Sequence, residues 1–64
     1  MEPWQERVVA ERNELSDKCD KLLKFLNTAI SVNEEDLFLL ILQYDTMAHY
    51  LKILNKRISR FKMQ

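Results

Sequence analysis

Residues 34–61 decide the fold, and they read EEDLFLLILQYDTMAHYLKILNKRISRF. Apolar residues recur there at alternating steps of three and four, which is the heptad spacing of a helix that packs along one side. Acidic residues fill the first turn, where the positive end of the helix dipole favours them. The segment therefore predicts an α-helix over about residues 33–62. Its heptad positions are Leu37, Leu40, Tyr44, Met47, Leu51, Leu54, Ile58 and Phe61.

A second helical pattern precedes this segment and covers residues 3–28. Pro3 suits the first turn of a helix, because the N–H that proline lacks would have no partner there. Apolar residues then recur at helical spacing. We expect them to form the face that packs on the other helix. They are Val8, Leu15, Cys19, Leu22, Leu26 and Ala29.

The only break between the two patterns lies at residues 29–33. Ser31 and Glu34 match a capping box, and Asn33 is a competing N-cap. A connection this short forces the two helices to run antiparallel. The sequence therefore predicts an all-α fold, an antiparallel two-helix hairpin that forms one domain over residues 1–64. Trp4 then lies near Phe61 at the open end of the hairpin, opposite the turn.

The first half of the second helix carries more apolar surface than one neighbouring helix can cover. Five consecutive apolar residues, 38–42, point all round the helix axis, and such a stretch is normally enclosed. We therefore expect the hairpin to assemble into a homo-oligomeric helical bundle, of the coiled-coil type, through its second helix. The predicted oligomer interface consists of Phe38, Ile41, Ala48, Leu51 and Leu54.

Composition excludes several classes of protein. The chain has 64 residues, no Gly and one Cys. Without Gly there is no Walker-type phosphate loop and no dinucleotide fingerprint, and one Cys allows neither an internal disulfide nor a cysteine metal cluster. No segment has 18 consecutive apolar residues, and the formal net charge is zero. We therefore expect no catalytic residues, no metal, no cofactor, no membrane span and no general nucleic-acid binding.

The open end of the hairpin carries the remaining candidate residues. Five bases and no acids follow Asp45, and four Glu residues lie at the partner end of the hairpin, within residues 2–14. Favourable helix-dipole contacts and ion pairs across the hairpin are one interpretation of these charges. A ligand site is the other, because Arg guanidinium groups bind phosphates and aromatic rings stack on bases. The candidate ligand-binding residues are Trp4, Arg7, Arg57 and Arg60.

Several short stretches resemble a known family. They include Trp-Gln-Glu-Arg-Val-Val at 4–9 and Lys-Leu at 21–22 in the first helix, and Leu-Leu at 39–40 and Arg-Ile at 57–58 in the second. Together these stretches resemble a family of small helical proteins carried by tailed bacteriophages, including crAss-like phages. The resemblance implies a phage accessory protein in the cytoplasm of the bacterial host.

Two functions follow from the resemblance and the open-end cluster. The first is an anti-defence protein that sequesters a cyclic nucleotide immune signal, a cyclic di- or trinucleotide, at a site between protomers. The second is a homo-oligomeric interaction module that docks on a host or phage protein and inhibits it without a small-molecule ligand. Both are binding functions rather than catalytic ones.

Overall fold

The chain forms a hairpin of two helices. A computed structural model describes residues 1–28 and 31–61, and in it α1 (Pro3–Thr28) packs lengthwise against α2 (Glu34–Ser59). The hairpin measures 48 × 14 × 14 Å. The helical hairpin predicted from the sequence is thereby confirmed. The second helix ends at Ser59, whereas its predicted end at residue 62 lies outside the described residues.

The start of α1 is fixed by a side chain that reaches back to the residue before the helix. The backbone N–H of Glu2 donates to Oε1 of Gln5 at 2.9 Å, and the carbonyl of Glu2 accepts from the N–H groups of Gln5 and Glu6. This is the backward half of a capping box, in which a Gln at the third helical position satisfies the N-cap donor. Gln5 is buried, so it packs at the open end as well as capping it.

The start of α2 is capped by Asn33. Its side-chain oxygen accepts from the N–H of Glu35 at 2.8 Å and from that of Asp36 at 3.2 Å. These are the second and third helical positions, where an N-cap side chain normally bonds. Of the two caps that the sequence offers, the helix therefore uses Asn33 rather than the capping box at Ser31.

The core extends from the middle of the hairpin towards its open end. Leu54 is 0% exposed and packs among Val8, Leu15 and Cys19 of α1, which are also buried. Burying a leucine side chain contributes about 1.5–3 kcal/mol, so this cluster is the main attachment between the helices. Half-buried residues of α2 and one residue just after it complete the cluster, namely Tyr44, Met47, Leu51, Ile58 and Phe61.

The half nearest the turn leaves several of its large apolar side chains in solvent. Exposed apolar residues come from both helices there, and those of α2 belong to the run of consecutive apolar residues at 38–42. One hairpin therefore does not cover this half, as the sequence predicts. The exposed residues are Leu23, Phe25, Phe38, Leu39, Ile41 and Leu42.

The predicted interface residues differ in how much of their surface the hairpin leaves exposed. Phe38 is 61% exposed and Ile41 is also exposed, so both present surface that another chain could cover. Ala48 and Leu51 are half-buried. Leu54 gives its whole surface to the hairpin's own core and offers none to a second copy. The part of the predicted interface with most free surface is therefore the run that begins at Phe38.

Candidate ligand-binding site

An aromatic pair closes the open end of the hairpin. The ring centroids of Trp4 and Phe61 lie 5.2 Å apart with their planes at 82°, an edge-to-face contact. This contact confirms that the two residues meet, as the antiparallel hairpin predicts. Trp4 remains 42% exposed, so part of the indole can still contact a ligand.

Two polar contacts next to the core fix the register of the helices. The hydroxyl of Tyr50 donates to Oε2 of Glu11, and Nη1 of Arg12 donates to Oδ1 of Asn55 at 3.0 Å. Five residues turn a helix by about 140°, so Tyr50 and Asn55 lie on opposite flanks of α2. The two contacts therefore join the helices along both edges of their interface.

This register places two arginines on one side of the hairpin towards its open end, and we call them the arginine pair. Arg7 lies one turn before Glu11 on the same face of α1, and Arg57 lies two turns after Tyr50 on the same face of α2. Because the helices are antiparallel, both steps lead towards the open end. The step is about 6 Å on α1 and about 10.5 Å on α2, so Arg57 lies roughly one turn nearer the open end than Arg7, on the same side of the hairpin. Arg60 follows Arg57 by almost one turn.

Neither arginine of the pair forms an ion pair with an acid in the part of the chain that the structure describes. The one ion pair within residues 1–28 and 31–61 joins Lys21 and Asp17, at 3.0 Å on the surface of α1. The expected ion pairs between the bases of the second helix and the acids of the first are therefore not formed there. All three site arginines are exposed. Adjacent cations repel each other, so an anion placed between them binds favourably.

Three other properties are relevant among the described residues: a metal site, the reactivity of Cys19 and a membrane-spanning helix. Among residues 1–28 and 31–61, no three His, Cys, Asp or Glu side chains come together as a metal site requires. Cys19 is 4% exposed, and burial, with a smaller contribution from the charge of Asp20, raises the pKa of its thiol. A raised pKa disfavours the nucleophilic thiolate. Neither helix in the described ranges combines the length and hydropathy that crossing a bilayer requires.

The extent of a family match agrees with the fold. A family model described as Sequestin matches residues 2–60, which include both helices. The chain belongs to the Sequestin family. The Sequestin match also includes all four candidate ligand-binding residues, from Trp4 to Arg60. No curated protein and no solved structure matches the chain.

Sequence reasoning named the candidate residues but missed what positions them relative to one another. The contact between Glu11 and Tyr50 places Arg7 within about one turn of Arg57 along the hairpin. The sequence does contain part of this information, because the seven-residue step from Tyr50 to Arg57 keeps both residues on one face of α2. The step from Glu11 back to Arg7 does the same on α1. What periodicity lacks is the pairing between the two helices.

Proposed function

We propose that this Sequestin-family protein is a phage anti-defence protein that sequesters a cyclic nucleotide immune signal. The name of the family is consistent with sequestering a small signalling molecule. Capture is stoichiometric, without chemical change of the ligand, in the cytoplasm of the bacterial host. The observation that carries the proposal is the arginine pair, Arg7 and Arg57, beside the exposed part of Trp4.

The arrangement supplies the two interactions that such a ligand needs. Guanidinium groups bind phosphates through two parallel N–H donors, and two of them within about one turn of each other on one side of the hairpin suit a ring that carries more than one phosphate. Trp4 offers a flat apolar surface on which a base stacks, an interaction worth about 1–3 kcal/mol per base. Arg60 lies close enough along α2 to contact a second phosphate.

A second protomer completes the site in this proposal. One hairpin is only 14 Å across, so its open end presents an outer surface rather than an enclosed pocket. Small-molecule sites usually cover most of their ligand. Another copy next to the open end would cover the side of the nucleotide that Trp4 and the arginines leave in water.

Calorimetry with a panel of cyclic di- and trinucleotides tests the proposal. The wild type should bind at least one of them with micromolar affinity or better, and salt should weaken binding because phosphate contacts dominate. Nucleotide recovered after denaturation of the complex should be chemically unchanged. If no member of the panel gives heat at tens of micromolar, the sequestration proposal is wrong.

Variants of the arginine pair locate the site. Arg7→Ala and Arg57→Ala should each weaken binding about tenfold or more while the circular-dichroism spectrum stays helical, since exposed charges contribute little to folding. Arg57→Lys keeps the charge but loses the fork of donors, so it should restore binding only in part. Lys24→Ala is the matched control, because Lys24 is exposed on α1 near the turn. Equal losses in the Lys24 and Arg57 variants would place the ligand elsewhere.

The alternative function has its own observation in the exposed apolar residues of the turn half. A module that docks on a host or phage protein would use Phe38, Leu39, Ile41 and Leu42. Under that function a Phe38→Ser variant would lose the partner protein, whereas Arg57→Ala would not. The same exposed run also suits another copy of this chain, as argued next.

A further inference from the structure

The side of α2 that points away from α1 is a continuous exposed surface, which we call the outer face. It lies opposite Leu54, the residue most deeply buried in the hairpin. The residues of this face recur at steps of three and four along the whole of α2, and each of them is exposed. The outer face includes Phe38, Leu42, Asp45, His49, Ile53 and Lys56.

Two shallow depressions lie on α2 and have opposite charge. One, of about 390 Å³, adjoins the turn and is lined by Glu34, Glu35, Phe38 and Leu39. The other, of about 450 Å³, lies towards the open end and is lined by His49, Lys52, Ile53 and Lys56. Each therefore combines exposed apolar side chains with charged ones, acidic in the first depression and basic in the second.

We propose that the outer face of α2 binds the same face of a second copy, with the two helices antiparallel. An antiparallel copy lays the acidic depression of each chain over the basic depression of the other, by one two-fold axis. A parallel copy would instead set acids on acids and bases on bases. Charge complementarity therefore selects both the partner and its direction.

The positions of the depressions also give the register. When the axis passes near Asp45, Glu35 lies across from Lys56 of the second copy and Phe38 lies across from its Ile53. Each pairing occurs twice because of the symmetry. The two helices then overlap along almost their full length, about 39 Å for 26 residues. Phe38, the most exposed residue of the apolar run at 38–42, is covered in this arrangement.

A shorter overlap would match apolar residues to one another but loses the charge pairs. With the axis near Leu40, Phe38 would meet Leu42 of the second copy, and Glu35 would meet Asp45. The pair of Glu35 with Asp45 is repulsive, and the symmetry makes it occur twice. The full overlap leaves one such repulsion, between the two Asp45 carboxylates near the axis. It also buries about twice the length of helix, and stable interfaces need about 800 Å² per partner.

This arrangement concerns the second protomer on which the proposed ligand site depends, but its experiments use no nucleotide. Ligand capture and dimer formation can therefore fail separately. Light scattering of the wild type at micromolar concentration should give twice the 7.7 kDa chain mass. A monomer under those conditions would overturn the proposal while leaving nucleotide binding to calorimetry.

Disulfide trapping distinguishes the arrangements. In a Cys19→Ala background, chains carrying Glu35→Cys should crosslink with chains carrying Lys56→Cys when the two are mixed and oxidised. Glu35→Cys alone should not crosslink, because two residues 35 lie about 30 Å apart in the antiparallel full overlap. A dimer of Glu35→Cys alone would show a parallel pair. Preferential crosslinking of Glu35→Cys with Asp45→Cys would show the shorter overlap. Either result overturns the proposal.

Charge reversal tests the same pairing in solution. Lys52→Glu with Lys56→Glu should raise the dimer dissociation constant about tenfold or more at low salt, and adding Glu34→Lys with Glu35→Lys in the same chain should restore it. Lys24→Glu, on α1, is the control and should change it less than twofold. Circular dichroism checks that each variant remains helical. If the fourfold variant does not recover, the charge-paired antiparallel arrangement is wrong.

Discussion

Replacing Leu54 by Ala tests whether the open half of the hairpin is its structural core. Leu54 is 0% exposed and belongs to the core cluster that includes the buried apolar residues of α1. Leu→Ala changes at such sites cost about 2–5 kcal/mol, because the lost burial is compounded by the cavity that remains. A 64-residue domain has a free energy of unfolding of roughly 3–10 kcal/mol. The variant should therefore lose a large part of its stability.

The expected loss appears as a lower melting temperature in circular dichroism. One kcal/mol shifts the melting temperature of a domain this small by about 4–8 °C, so Leu54→Ala should melt at least about 10 °C below the wild type. Both proteins need the same chain concentration, since assembly adds to apparent stability. If the variant is unfolded at all temperatures, Leu54→Met, which keeps most of the volume, should fold and melt at an intermediate temperature.

A second Leu→Ala variant supplies the control. Leu23 is 41% exposed on α1, so Leu23→Ala removes the same atoms from a site that is only partly buried. It should cost about 1 kcal/mol or less. If the two variants melt within a few degrees of each other, the cluster around Leu54 does not hold the hairpin together, and the reasoning from burial is refuted.

Three further predictions concern single features of the hairpin. Asn33→Ala should cost about 1 kcal/mol in a thermal melt because it removes the N-cap of α2, whereas Ser31→Ala should have little effect; the reverse order would show that the capping box is used. Trp4 fluorescence should shift to the blue on folding, and Phe61→Ala should move the native emission back to the red; an unchanged spectrum would contradict the edge-to-face contact. The raised pKa of the Cys19 thiol, together with its burial, should make the native protein react at pH 8 much more slowly with a thiol reagent than the denatured protein does. Equal rates would show that this thiol is accessible.

The helices themselves could be predicted from the sequence because apolar spacing records them directly. The heptad from residue 37 to 61 and the first-turn acids predict α2, and Pro3 predicts the start of α1. The choice of cap could not be predicted in the same way. Ser and Asn are about equally good N-caps, so propensity does not distinguish Ser31 from Asn33. Hydrogen bonds to Glu35 and Asp36 show that Asn33 is used.

One interpretation of the charges at the open end predicts ion pairs across the hairpin. These pairs do not form among the described residues, for a related reason. Counting charges places acids and bases at the same end, but it does not say which flank of the hairpin each one occupies. Exposed ion pairs gain little in water, so the fold has no strong reason to form them. Within the described residues only Lys21 and Asp17 pair, four residues apart on one helix. The arginines at the open end remain available to an anion from outside the chain.

The candidate site depends on register, which periodicity alone does not contain. A heptad defines the inward stripe of each helix, but a slide of one turn along that stripe keeps apolar residues facing each other. Such a slide, about 5.4 Å, would separate Tyr50 from Glu11 and change the offset between Arg7 and Arg57. Contacts outside the apolar stripe oppose it, and the one between Tyr50 and Glu11 lies on the same flank as the two arginines. The residues that set the level of the arginine pair are therefore polar and half in water, where a search for core positions does not look.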